Sequence, residues 1–228
     1  MPIEIKKIKD VLQDNGIKCL LHGFSGSGKT YSISTIPGKV IVLSAEAGLL
    51  SLQDFDNLDV IEISSIQELR ESYEFLKNNN DYDTIVLDSL TEIAQQVLAH
   101  ELSNNKDGRK AYGEMNEIII KLVKAFRDIP KKNVILICQQ ARIQDSEGRM
   151  LYTASMPGKT LSPALPFLFD LVACLRVRSD EEGNKKRAFQ FEPDEIYECK
   201  QRGGKLLPFE PADWSIIFNK IKVIKNEN

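Results

Sequence analysis

Eight consecutive residues, Gly23-Phe24-Ser25-Gly26-Ser27-Gly28-Lys29-Thr30, match the pattern G-x-x-x-x-G-K-[ST] in full. Residues of these types at this spacing bind phosphate. The glycines let backbone N–H groups turn inward around an anion, and the N-terminus of the following helix adds a positive dipole end. Lys29 is long enough to reach β- and γ-phosphates, and the Thr30 hydroxyl can ligate Mg²⁺. Tyr31, next in the chain, is taken with the loop as a nucleotide contact. The reading is a phosphate-binding loop for a nucleoside triphosphate. A second Gly-Lys-Thr, at 158–160, has Thr153 where the first glycine should stand and is flanked by Pro157 and Pro163. It reads as loop, with Lys159 left to touch a phosphate of DNA or of a neighbour's nucleotide.

Some sixty residues after that loop, Ile85-Val86-Leu87-Asp88 is an apolar run ending in a carboxylate. This is the Walker B arrangement, in which the Asp holds Mg²⁺ opposite Thr30. Ser89 either supports the metal or caps a helix starting at Leu90. Asp88 is not followed by Glu, so the adjacent general base is missing. Glu46, just past a strand expected at Val40–Ser44, is the replacement: a carboxylate at the end of a strand beside the phosphate-loop strand can polarise an attacking water. The alternative is a Glu favoured by the N-terminus of a helix.

These residues need strands and helices to bring them together, and the pattern supplies both. Apolar runs rich in β-branched residues are expected as strands at Ile17–His22, Val40–Ser44, Val60–Ile63, Thr84–Leu87 and Val134–Cys138. Continuous apolar strands suit a sheet buried on both faces. Helices are expected at Lys29–Thr35, Ile66–Asn78, Leu90–Asn104 and Tyr112–Arg127, the last with Met115, Ile118, Ile119, Leu122, Val123 and Phe126 on one stripe. Past Gln139 the pattern changes. Residues 141–150 read as a mobile hairpin or loop, and Leu171–Val177, Ala188–Phe191 and Ile196–Cys199 as shorter antiparallel strands around a charged turn at Asp180–Lys186. A helix near Trp214–Ile221 closes the fold. The alternation predicts an α/β fold with a mostly parallel sheet flanked by helices and a C-terminal antiparallel extension, in one domain over residues 1–228.

Composition bounds the partners. The 228 residues are 42% hydrophobic and 28% charged, enough apolar content for a buried core. The net charge of −3 gives no global basic field, so a nucleic acid would have to be held by local patches. Cys19, Cys138, Cys174 and Cys199 show no CxxC spacing, and with two histidines a zinc site is not expected. Scattered thiols suit a reducing compartment. The start MPIEIKKIKD lacks the apolar run of a signal peptide, and Asp170 breaks the apolar stretch Leu165–Leu175. The expectation is a cytoplasmic protein. His22 is expected packed beneath the phosphate loop, Trp214 and the Phe167/Phe169 pair in the core or at a subunit interface, and Lys6–Lys9 and Lys220–Lys225 as solvated ends.

Taken together, this layout resembles the RecA/KaiC-type ATPase core, and in particular the small phage-encoded RecA-like proteins of recombination and single-strand annealing. The residues that carry the likeness are the loop at 23–30, Ser44-Ala45-Glu46-Ala47-Gly48, Leu87-Asp88-Ser89, Ile137-Cys138-Gln139-Gln140 and Lys200-Gln201-Arg202-Gly203-Gly204. The resemblance spans about residues 17–205. It implies ATP and Mg²⁺ as cofactors, Glu46 as the catalytic carboxylate and Gln139 as a polar sensor. It also implies Lys200 and Arg202 as fingers reaching a neighbouring subunit's ATP, hence a homo-oligomer with ATP at its interfaces. It implies single-stranded DNA as partner, bound by Lys106–Tyr112 and by a loop carrying Arg142, Arg149, Tyr152 and Lys159. The residues ahead of the core carry no recognisable DNA-binding or polymerisation motif, so filament formation and strand exchange are not expected. Two other readings stay open on the same loop: a small-molecule or nucleoside kinase, and a helicase-loader or packaging-type motor that binds protein rather than DNA.

Overall fold

The computed structural model describes residues 16–46, 48–145, 147–179 and 182–221. The basic segment Lys6–Lys9, the tail beyond Ile221 and residues 180–181 of the charged turn lie outside them. In chain order the elements are β1 (Lys18–His22), α1 (Lys29–Ser32), β2 (Val40–Ser44), β3 (Leu58–Glu62), α2 (Ile66–Asn78), β4 (Thr84–Asp88), α3 (Leu90–Asn104) and α4 (Gly108–Arg127). The second half has β5 (Asn133–Cys138), β6 (Gln140–Gln144), β7 (Met150–Ala154), α5 (Leu161–Ala164), β8 (Leu171–Ser179), β9 (Lys185–Gln190), β10 (Lys200–Gln201), β11 (Phe209–Pro211) and α6 (Trp214–Ile221).

One sheet runs β11-β9-β8-β1-β5-β4-β2-β3, with β10 pairing β8 as well. From β3 to β8 every neighbouring pair is parallel, while β9, β10 and β11 join antiparallel. Adjacent residues of the central strands feed opposite faces, as a pleated strand requires. Leu20, Leu43, Leu87 and Leu136 pack under α2, α3 and α4 with Leu69, Ile93, Met115, Ile119 and Phe126. Cys19, Leu21, Val42, Val86 and Ile135 pack on the other face with Ile33, Trp214, Ile217 and Phe218. Both faces are dry, which explains why the strands read as unbroken apolar runs.

The mostly parallel sheet with an antiparallel C-terminal end is as expected. Several local expectations change. Helix α4 begins at Gly108 instead of Tyr112, because the Asp107 side chain accepts from the Arg109 backbone N–H (2.9 Å) and caps it. The basic stretch Lys106–Tyr112 is therefore mostly a first helical turn rather than a loop. Where a hairpin or loop was expected, β6 (Gln140–Gln144) pairs antiparallel with β7 (Met150–Ala154). Strand β8 is parallel to β1, not antiparallel, and belongs to the core. Ile196–Cys199 is not a strand: Asp194 ties the Ile196 and Tyr197 N–H groups, and a single bridge, Tyr152 to Tyr197, is all the pairing there. Phe169 is buried, but Phe167 is 77% exposed. The second Gly-Lys-Thr is loop, as expected.

All four cysteines are free and buried. Burial raises the thiols of Cys19, Cys138 and Cys199 well above the ordinary value, and pushes that of Cys174 up to about 12. Each thiol keeps its proton in the fold and loses it on unfolding, so its contribution is present below the ordinary thiol value and disappears as pH rises above it. Buried Lys18, whose ammonium donates to the Ile129 and Lys132 carbonyls, works the other way, since burial lowers it to about 8. Lys29, Lys132 and Lys200 are lowered in the same sense as Lys18, and Tyr82 and Tyr197 are raised in the same sense as the thiols, so six groups that keep their protons in the fold stand against four lysines and set the sign. Stability in urea should fall between about pH 8.5 and about pH 10.5, each uncompensated proton contributing about 1.4 kcal/mol per pH unit. A flat or rising profile over that range would refute this.

Candidate functional site

The parallel register carries four strand ends to one edge. Asp88 at the end of β4 pairs with Ser44 of β2 and with Ile137 of β5. One residue further on, the Ala45 N–H donates to the Asp88 carbonyl (2.8 Å), which continues the ladder and delivers Glu46 beside Ser89. On the other side Gln139 emerges just past β5, its N–H held by Thr91 Oγ1 at 3.0 Å. Glu46, Ser89 and Gln139 thus come from three adjacent strand ends. Glu46 Oε1 accepts from Ser89 Oγ and from Gln139 Nε2 (3.2 Å). Ser44 Oγ donates to the Glu46 carbonyl (2.8 Å) and fixes the turn.

Opposite stands the phosphate loop. It leaves β1 at His22 and enters α1 at Lys29. Lys29 Nζ donates to the carbonyls of Gly23 (2.8 Å) and Phe24 (3.0 Å), folding back over its own loop. Thr30 Oγ1 donates to Asp88 Oδ2 at 2.7 Å, so the two expected metal-holding groups face each other across the cleft. Mg²⁺ takes one or two protein oxygens and completes its shell from phosphates and water. Thr30 and Asp88 are an oxygen pair of that kind, and the loop with Lys29 is a donor set for phosphate, so both cofactors fit the residues present. The cleft holds about 600 Å³ and is lined by Phe24, Lys29, Thr30, Tyr31, Glu46, Asp88 and Gln139, among others.

Charge in the cleft is tuned by burial. Asp88 is buried, which raises its carboxyl above the usual range; the Thr30 hydrogen bond and Lys29 pull it down, and Glu46 pushes it up. Burial lowers the Lys29 ammonium, and Asp88 and Glu46 oppose that. Lys29 and Asp88 each favour the other's charged form against the burial that opposes it.

The structure brings together Gly23 through Tyr31, Glu46, Asp88 and Gln139. It corrects one step of the reasoning for Glu46: β2 is not beside β1, since β5 and β4 lie between, and Glu46 enters the site across β4. Ser89 does two jobs at once. It donates to Glu46 and accepts from the Glu92 N–H as helix cap. His22 is fully buried with Nε2 2.9 Å from the Glu198 carbonyl, and burial lowers it to about 4. It is neutral packing, as expected.

Lys200 and Arg202 are elsewhere. They pair with the start of β8, Lys200 opposite Val172, whereas the phosphate loop follows the far end of β1, where His22 pairs with Cys174. Lys200 Nζ donates to the carbonyls of Pro166 (3.0 Å) and Phe169 (2.7 Å), and Arg202 Nη1 to Asp170 Oδ1 (2.9 Å). Both reach the same connection, as their two-residue spacing predicts. Lys200 also has a place in the fold: it closes off two backbone carbonyls. In the hairpin, Tyr152 is stacked on Tyr197 (5.1 Å between centroids) and meets the edge of Phe24 (5.2 Å), while Arg149 is paired with Asp145 and Glu147.

Gln140, quoted with Gln139 in the sequence motif, lines the cleft beside it. One contact had no signal in the sequence. Arg187 of β9, 160 positions along the chain, donates from Nε to the Ser27 carbonyl at 2.9 Å. No helix among the described residues is long and apolar enough to cross a membrane.

A protein-family model described as an AAA domain matches residues 15–203, a span holding the loop, Glu46, Asp88, Gln139, Lys200 and Arg202. A comparison with curated proteins finds no match. With the phosphate loop, the Thr30–Asp88 pair and the carboxylate opposite them in one cleft, the chain belongs to the AAA domain family of P-loop ATPases.

Proposed function

We propose that the chain hydrolyses ATP in the manner of RecA-like ATPases, works as a homo-oligomer with nucleotide at its interfaces, and acts on single-stranded DNA in phage recombination or strand annealing. The observation that carries the hydrolytic part is Glu46, held by Ser89 and Gln139 across from Lys29, Thr30 and Asp88. Lys29 and the loop N–H groups hold and orient the phosphates, and Thr30 with Asp88 would hold Mg²⁺, which when bound neutralises charge on the β- and γ-phosphates. Glu46 accepts the proton of the attacking water, and Gln139 fixes the carboxylate's direction. A kinase would need an acceptor in place of that water, and the carboxylate would have no part in water activation. The DNA part is supported by the resemblance and by the cations Arg142, in β6 of the hairpin, and Lys159, in the loop that follows β7.

The test is turnover by the whole chain. Phosphate release from ATP should require Mg²⁺, stop in EDTA, and rise when single-stranded DNA is added. Phosphoryl transfer to any member of a nucleoside panel faster than to water would overturn hydrolysis. DNA binding with no salt dependence, or none at all, would overturn the DNA assignment, because phosphate contacts release counterions.

A further inference from the structure

Arg187 lies in β9, which has no part in the motif, yet its side chain is built against the phosphate loop. Its Nε donates to the Ser27 carbonyl at 2.9 Å. A Cβ placed on Gly28 would stand 2.9 Å from Arg187 Nε and 3.1 Å from its Cδ, so the arginine side chain lies in the room that the missing Cβ leaves. Gly28 also has φ of 100°, where a side chain is strained. The glycine before Lys29 is therefore demanded by its own backbone, and Arg187 packs into the room it leaves. The strand places the arginine there firmly. Arg187 pairs with Val177 of β8, and its carbonyl accepts from the Ala212 N–H.

The bond to Ser27 has a consequence on the other side of the peptide. In a planar trans amide the C=O and N–H point in opposite directions. The Ser27 carbonyl points outward to Arg187, so the N–H of Gly28 points to the loop's interior. A cation bonded to the carbonyl polarises the amide and makes that N–H a stronger donor, and charge-assisted bonds are the stronger class. It also spares the carbonyl, since a loop that turns its N–H groups inward must leave its oxygens outside.

We propose that Arg187 is a positioning residue of the phosphate loop: by bonding the Ser27 carbonyl against Gly28, it polarises and fixes the Ser27–Gly28 peptide for a nucleotide's phosphates. This rests on the nucleotide-binding reading above. Arg187 touches the loop from outside, so it supports ground state and transition state alike. Its loss weakens binding while turnover at saturation persists.

The experiment uses the whole chain with magnesium ADP titrated by calorimetry, and ATP turnover to separate KM from kcat. Arg187→Met keeps the stem that packs on Gly28 and removes the charge. It should weaken ADP binding about tenfold, the scale of one hydrogen bond to a charged group, and raise KM similarly with kcat within about threefold. Arg187→Lys restores the charge and should recover most of the lost affinity. Lys185→Ala, a cation two positions away on the same strand, should leave ADP binding unchanged. Arg187→Met binding ADP like the parent overturns the proposal. So does a kcat loss without a KM change, an equal loss in Lys185→Ala, or no recovery in Arg187→Lys. If the parent chain itself binds no ADP, the nucleotide reading fails instead, and the two failures are told apart.

Discussion

Glu46→Gln is expected to bind ATP as the parent does and to lose about 10²–10⁴ of its turnover, the usual worth of a positioned general base. The substitution is close to isosteric. The amide oxygen can still accept from one of the two donors at Glu46, Ser89 Oγ or Gln139 Nε2, and the serine hydroxyl can rotate to accept in turn. Folding should therefore be little affected. The metal pair should also survive, because Glu46 acts to raise the Asp88 carboxyl; removing that charge makes Asp88 easier to ionise. What is lost is the group that takes the proton from water. The check is a nucleotide titration and a single-turnover measurement on the same preparation. Weaker ATP binding with an unchanged rate would make Glu46 a structural carboxylate and remove the hydrolytic assignment.

How much of this was legible in the sequence depends on how local each constraint is. The phosphate loop occupies eight consecutive residues, so its spacing carries the whole chemistry. Asp88 was readable because a carboxylate ending an apolar strand has few other uses after such a loop. Glu46 and Gln139 were assigned by position and do line the cleft, yet the supposed adjacency of β2 and β1 was wrong. Strand order is set by crossover connections and packing of α2, α3 and α4, and no run of residues states it. The start of α4 was misplaced because Asp107 and Gly108 look like loop residues until the Asp107 cap is seen. Arg187 had no signal at all: its partner is a backbone carbonyl 160 residues away, and any sequence leaves that atom in place.

Arg202→Ala is expected to cut turnover by about 10³–10⁵, the range of a finger that stabilises transferred-phosphate charge, while its melting point shifts little. The geometry makes this a sharp test of assembly. Arg202 begins beyond Gln201, which pairs with Leu171 at the start of β8, and the phosphate loop lies past the other end of β1. Four strand residues at about 3.3 Å each separate those edges, further than an arginine side chain extends. No contact with its own loop is open to it. Its partner within the chain is Asp170, and both side chains are mostly exposed, 61% and 57%. A surface pair of that kind contributes about 0–1 kcal/mol, too little for its loss to explain a dead enzyme through unfolding. A large fall in turnover then has to come from another copy of the chain. Mixing Arg202→Ala with Glu46→Gln should restore part of the rate, because some interfaces join an intact Glu46 to an intact Arg202, and parent turnover should rise more than linearly with protein concentration. A mixture that co-assembles yet stays inactive, or an Arg202→Ala chain that turns over normally, would show that Arg202 does no more than pair with Asp170 at the lower edge of the sheet.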